Sequence, residues 1–315
     1  MKFLVYPAVS DEELAQLQSV AGNAQIVNAA NETVAAQHIV DADGLYGRLD
    51  ADLLGRAKKL RWVQSPVAGV EKYLFPELVE SDITVTNMAG IYSDQIADHA
   101  IMFLLMFARG EHIYFRRQIQ RNWQSGVPII HVSDQTLGVV GLGGIGNEVA
   151  RRGHALGMRV LAVDAKPRQK PDYVAELWGI EQLDQMLAQA DFVILCVPHT
   201  PETEKLFTLP RLQHMKRTAY LINISRGIVV DLADVTAALK SGMIAGAAMD
   251  VFEIEPLPAD HPLWEMENVL ITPHMASNLD SPHIPMRRIG VVRDNLRRFL
   301  DNEPLQNIID KRRWF

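Results

Sequence analysis

Leu137-Gly138-Val139-Val140-Gly141-Leu142-Gly143-Gly144-Ile145-Gly146 decides the reading of this chain. An apolar strand runs into a glycine-rich turn, and a helical pattern over residues 147–156 follows directly. A lone GxGxxG is weak, because glycines are common in turns. Strand before and helix after supply the context the motif requires. Gly141 permits the tight turn, Gly143 lets backbone approach a pyrophosphate, and Gly146 lets the helix pack closely on the strand. The helix N-terminus at Gly144 and Ile145 carries about half a positive charge from its aligned peptides, which favours phosphate.

Working outward, residues 159–163 form the next strand, and Asp164 stands at its end, 18 residues beyond Gly146. An acid there meets the adenosine ribose hydroxyls and opposes a 2′-phosphate, so the reading favours NAD. Lys166, Arg168 and Lys170 follow at once and keep NADP open. Further strands are expected at residues 136–140, 192–197, 220–224, 245–249 and 269–271, with helical segments between most of them. That alternation is the doubly wound parallel α/β pattern.

The first hundred residues show the same alternation. Strands are expected at 2–6, 25–27, 44–46, 60–64 and 84–86, giving a smaller five-stranded parallel sheet. Ser10, with Glu13 three residues later, reads as a capping box opening a helix. A second helix is expected from about Asn31. Residues 93 to about 123 read as one long helix with an apolar middle. Residues 282–300 read as a final helix rich in arginine on one face.

At 315 residues the chain is long enough for two domains, and 48% apolar residues supply both cores. Lys and Arg total 31 against 38 Asp and Glu, a formal charge of −7 that argues against nucleic acid or a membrane surface as partner. The longest apolar run, residues 100–108, is too short to cross a bilayer. The single cysteine, Cys196, rules out an intrachain disulfide, fits a reducing cytoplasm, and reads as packing rather than nucleophile. The ten histidines show no HExxH spacing and one cysteine cannot build a thiolate zinc site, so no metal is expected.

Three later segments each place a polar residue at or just past a strand end. They are Asn223-Ile224-Ser225-Arg226-Gly227, Met249-Asp250-Val251-Phe252-Glu253-Ile254-Glu255-Pro256 and Ile271-Thr272-Pro273-His274-Met275-Ala276-Ser277. Strand C-termini of an open parallel sheet line the ligand crevice. An arginine, an acid and a histidine can therefore converge there.

With these segments, the sequence resembles the D-isomer-specific 2-hydroxyacid dehydrogenase family through nearly its whole length. The resemblance also rests on Gln64-Ser65-Pro66-Val67-Ala68-Gly69-Val70 and Val197-Pro198-His199-Thr200-Pro201-Glu202-Thr203. It implies a Rossmann dinucleotide-binding domain, residues 99–280, inserted into a flavodoxin-like substrate domain of residues 1–98 and 281–315. It implies that His274 is the acid–base, that Glu255 pairs with it and favours its protonated form, and that Arg226 binds the substrate carboxylate and polarises the carbonyl. Asp250 would accept from the nicotinamide carboxamide, and Val197, Pro198, Thr203, Ile224 and Ser277 would complete the cofactor site. Val67, Ala68 and Gly69 would cradle the substrate carboxylate with backbone N–H groups, with Arg48 near the mouth. Tyr46, Tyr92 and Met286 would shape the pocket or simply pack.

Two departures stand out. Asp98 replaces the family's usual glutamate, and residues 278–285 lack the expected glycine-rich continuation. The implied function is hydride transfer between a nicotinamide cofactor and a small 2-oxo or 2-hydroxy acid, of glyoxylate or hydroxypyruvate type, in a cytoplasmic homodimer. The competing reading is a non-catalytic NAD(H)-sensing module like the corepressors of the same fold. A third reading, a dehydrogenase acting on formate or phosphite, is disfavoured, because formate relatives carry glutamine where Glu255 stands.

Overall fold

The computed structural model describes residues 1–70, 73–166, 169–277 and 283–314. The chain forms two compact units, Met1–Ile91 with Leu279–Phe315, and Tyr92–Asn278.

In the first unit β1 (Lys2–Tyr6), β2 (Gln25–Asn28), β3 (Gly44–Gly47), β4 (Trp62–Gln64) and β5 (Thr84–Thr86) form a parallel sheet of order β2-β1-β3-β4-β5. Its strand order reverses between β1 and β3, which brings Pro7 and Arg48 to the switch point. Ser10 and Glu13 make the expected reciprocal capping box on the helix Asp11–Ala21, an arrangement worth about 1 kcal/mol. The helix Ile284–Leu300 packs on that first helix. It is anchored by a fully buried polar cluster. Asn295 Nδ2 donates to Gln64 Oε1 at 2.9 Å, and Thr86 Oγ1 donates to the same oxygen at 2.8 Å. Trp62 Nε1 in turn donates to Thr86 Oγ1 at 2.9 Å. Beyond the helix, Ile308 bridges antiparallel to Thr86.

In the second unit β6 (Thr136–Val140), β7 (Arg159–Val163), β8 (Glu176–Trp178), β9 (Phe192–Leu195), β10 (Tyr220–Asn223), β11 (Gly246–Met249) and β12 (Val269–Ile271) form a parallel sheet of order β12-β11-β10-β9-β6-β7-β8. Alternate residues feed two cores, as a period of two requires. Val140, Leu161, Val163, Val193 and Leu221 join one cluster, while Leu137, Val139, Val160, Ala162 and Ile222 join the other. Helices therefore cover both faces, as a buried parallel sheet demands. Each such Leu or Val contributes roughly 1.5–3 kcal/mol by leaving water. The order reverses between β6 and β9, so the crevice opens at their carboxyl ends.

Three expectations are corrected here. The long helix from residue 93 to about 123 is two helices, Ser93–Arg109 and Glu111–Ile119. Gly110 divides them at φ +71°, its N–H capping the Met106 and Phe107 carbonyls. A Cβ at Gly110 would collide with Val127. The edge strand β8 stands where the sequence pattern indicates none. Strands expected at 192–197 and 220–224 end earlier, at Leu195 and Asn223, because the following residues turn to line the crevice. The final helix begins at Ile284; Pro282, Arg168 and residues 278–281 of the unusual segment lie outside the described residues. No helix is long and apolar enough to cross a membrane among the described residues.

Candidate active site

The glycine turn sits at the switch point of the larger sheet. Gly141 has φ +90°, a conformation that L side chains rarely adopt, and a Cβ at Gly146 would collide with the Gly141 carbonyl. At Gly143, by contrast, nothing lies within 4 Å of the Cβ position. The turn is thus closed underneath and open where a pyrophosphate would approach, so these residues fit a dinucleotide. Side chains brace it. Asn147 Nδ2 donates to the Leu142 carbonyl at 2.6 Å and the Gly143 carbonyl at 2.9 Å, and Tyr173 holds Asn147 Oδ1 at 2.9 Å. Neither brace was found from sequence, because an asparagine inside a helical run carries no motif.

Asp164 follows β7, and its carboxylate reaches back to the turn. Oδ2 accepts from the Leu142 N–H at 2.7 Å and Oδ1 from the Lys166 N–H at 2.8 Å. Lys170 Nζ is tied to the Val174 carbonyl at 2.8 Å. After β9, Thr203 Oγ1 donates to the Pro198 carbonyl at 2.7 Å, closing the loop that carries Val197 and Pro198. Cys196 begins that loop, and burial pushes its thiol well above the ordinary range, which suits packing rather than nucleophilic attack.

The three polar strand ends of the sequence are neighbours. Arg226 and Ile224 follow β10; Arg226 Nη1 donates to the Ser225 carbonyl at 2.8 Å, and Ile224 is buried. Gly227 is pressed against the Phe252 backbone so closely that a Cβ would collide with it. That contact seats the Arg226 loop on the loop that carries Glu255. Glu255 Oε1 accepts the Phe252 N–H at 2.9 Å, and Oε2 lies 2.8 Å from His274 Nδ1. A carboxylate only accepts, so Nδ1 carries a proton in this pair and Nε2 takes no part in it. The His274 side chain is 50% exposed.

His274 also has φ +52°, an uncommon left-handed backbone for a residue with a side chain. Such strain is held at roughly 1–3 kcal/mol by its surroundings. Here the His274 N–H donates to the Asp250 carbonyl at 2.7 Å. The buried Asp250 carboxylate takes three further donors: Thr272 Oγ1 at 2.6 Å and the Met275 N–H at 2.9 Å on Oδ1, and the Ala276 N–H at 3.0 Å on Oδ2. Ser277 follows, half-buried. His99, from the helix Ser93–Arg109, reaches the same cluster, and no motif in the sequence marks it.

In the first unit, Arg48 is exposed and pairs with Asp50 at 3.2 Å. Val67 is 45% exposed. Asn87 Nδ2 fixes the Ala68 carbonyl at 2.7 Å. The N–H groups of Ala68 and Gly69 take no partner among the described residues. Two adjacent free N–H groups are what an anion cradle needs. Tyr46 is buried near the end of β3, where Arg288 Nη2 donates to its hydroxyl at 3.2 Å, while Tyr92 and Met286 are partly exposed. No group of three or more His, Cys, Asp or Glu among the described residues could hold a metal ion.

A parallel sheet with a glycine cradle at its switch point belongs to the dinucleotide-binding class of α/β folds. More particularly, the chain belongs to the D-isomer specific 2-hydroxyacid dehydrogenase family, whose NAD binding domain matches residues 101–276. It is 38% identical over 292 residues to a glyoxylate reductase of Korarchaeum cryptofilum, covering 89% of this chain and 86% of that one. A family member from Xanthobacter autotrophicus, solved with NADPH and MES, superposes with a TM-score of 0.85 at 30% identity, covering 100% of this chain and 99% of that one. An NADPH-dependent glyoxylate/hydroxypyruvate reductase of Sinorhizobium meliloti, solved with NADP and sulfate, gives 0.83 at 26% identity, with 100% and 99% covered. The chain is a 2-hydroxyacid oxidoreductase with a site for NAD or NADP.

Proposed function

We propose that this chain reduces a small 2-oxo acid of the glyoxylate or hydroxypyruvate type to the D-2-hydroxy acid. The observation that carries the reading is the Glu255–His274 pair, with Nδ1 tied at 2.8 Å and the histidine side chain half exposed. Glyoxylate reductases among the relatives support the substrate class.

Gly141, Gly143, Gly144, Ile145 and Gly146 would hold the pyrophosphate, with Val197, Pro198, Thr203, Ile224 and Ser277 around the rest of the cofactor. Bound there, the nicotinamide supplies the hydride for substrate C2. The chain's own groups do the remainder. Arg226 presents a planar fork that binds the carboxylate and draws electron density from the carbonyl. The family resemblance gives Arg48, Val67 and the N–H groups of Ala68 and Gly69 a share in holding the substrate. His274 gives a proton from Nε2 to the carbonyl oxygen and takes it back in the oxidation direction. Glu255 balances the imidazolium and fixes its plane. Asp250 retains about one lone pair, on Oδ2, for a carboxamide N–H.

NAD is the preferred cofactor in this reading, because the Asp164 carboxylate would oppose a 2′-phosphate. Lys166 keeps NADP in use as the weaker partner. The chain works as a homodimer in the cytoplasm. Exposed apolar residues on and after the helix Glu111–Ile119, with Ile119 at 84% and Trp123 at 103%, support a pairing surface there, and the free Cys196 fits a reducing compartment.

The test is NADH and NADPH oxidation by the purified protein with glyoxylate, hydroxypyruvate, pyruvate and bulkier 2-oxo acids. Fastest turnover with NADH and one of the first two is expected. Turnover confined to bulky oxo acids would overturn the substrate class.

A further inference from the structure

We infer that His99 is a positioning residue for His274, acting through Thr272 and Asp250. The inference rests on the reading of His274 as proton donor.

His99 Nε2 lies 3.1 Å from Thr272 Oγ1 and 3.7 Å from Asp250 Oδ1, and its side chain is only 11% exposed. The Thr272 hydroxyl has one proton. At 2.6 Å from Asp250 Oδ1, which can only accept, that proton is already committed. The hydroxyl therefore accepts from His99, and Nε2 of His99 is the protonated nitrogen. The ring plane is fixed by Phe103, edge-on with centroids 4.6 Å apart. A directed chain results: His99 Nε2–H to Thr272 Oγ1–H to Asp250.

Asp250 is 1% exposed, so its carboxylate depends on its donors. Those donors come from residues 272, 275 and 276, and the Asp250 carbonyl takes the N–H of residue 274. The whole histidine-bearing turn thus hangs on one buried acid. His99 is the one side chain outside that turn that orients the threonine hydroxyl toward it, among the described residues. A neutral ring suits the task. Burial lowers the His99 pKa below the ordinary imidazole value, and the Asp250 charge opposes that shift. Removing the donor frees the hydroxyl to rotate, loosens the turn and lets the left-handed His274 backbone relax. Misplacing a catalytic group by about 1 Å lowers a rate on the order of a hundredfold.

The experiment compares His99→Leu, His99→Gln and His274→Ala, with hydroxypyruvate and NADH as probes. NADH affinity is measured by fluorescence and folding by thermal melting. Gln places an amide N–H where Nε2–H stands; Leu places none. His99→Leu is expected to lower kcat about tenfold to a hundredfold, with KM and NADH affinity within about twofold. His99→Gln is expected to restore most of that loss. If His274→Ala retains turnover, the proton-donor reading itself fails. If His274→Ala is inactive while His99→Leu keeps full kcat, the positioning role is overturned and the proton donor stands. A folded His99→Gln as slow as His99→Leu, or a loss of NADH affinity in step with kcat, overturns it as well.

Discussion

A guanidinium clamps a carboxylate through two parallel N–H bonds, whereas an ammonium offers a point charge on a flexible stem. Arg226→Lys keeps the charge and loses the fork. It is expected to lower kcat/KM for the oxo acid by roughly tenfold to a hundredfold, the equivalent of about 1.5–3 kcal/mol for charged hydrogen bonds, with NADH affinity unchanged. Steady-state kinetics with unaltered oxo-acid parameters would remove Arg226 from the carboxylate. Asp164 makes a second prediction at this scale. It braces the glycine turn at the Leu142 N–H, and in the proposed site it also meets the ribose hydroxyls. Asp164→Ala is therefore expected to weaken NADH strongly and NADPH less, since the loss of the brace is common to both and the relief of repulsion belongs to the phosphate alone. Fluorescence titrations giving the same NADH to NADPH ratio as the parent would refute the discriminating role.

Among elements, the returning helix Ile284–Leu300 gives the sharpest stability prediction. Asn295 is fully buried and serves Gln64 Oε1 and the Gln306 backbone together. Asn295→Leu removes the side chain that ties the helix to Gln64 and to the Gln306 backbone, leaving Gln64 Oε1 only its bond from Thr86, and is expected to destabilise the first unit by about 1–3 kcal/mol, read by urea unfolding. A neutral result would show that the cluster is dispensable. The strands with steady apolar pattern, β6 and β7 above all, were legible because both faces of a parallel sheet are buried. β8 was not, because three half-buried residues beginning with Glu176 give too short a signal. The break at Gly110 was hidden because helical periodicity continues on both sides of it, and only the left-handed φ and the crowding by Val127 reveal the stop. The Glu255–His274 contact was legible through resemblance, since the residues lie on separate strand ends. The donors wrapped around Asp250 were not, because backbone N–H groups have no identity in sequence.

For the whole molecule, the reversal of strand order places the glycine turn and the loop after β9 at one crevice, and the successive strands β10, β11 and β12 bring Arg226, Glu255 and His274 to the same edge of the sheet. In the proposed homodimer, the exposed Ile119 and Trp123 belong to the pairing surface. Replacing both with Lys is expected to shift the protein toward monomer in light scattering at micromolar concentration, with the fold retained; an unchanged mass would move the pairing surface elsewhere. The central claim is that His274 delivers the proton in reduction of a small 2-oxo acid. The most direct measurement is NADH oxidation driven by hydroxypyruvate, with the configuration of the product determined, for the parent and His274→Ala side by side. The account predicts D-glycerate from the parent, and from the variant a rate lower by a factor of at least about 10² with NADH affinity intact. Equal rates in the two proteins, or an L-configured product, would contradict it.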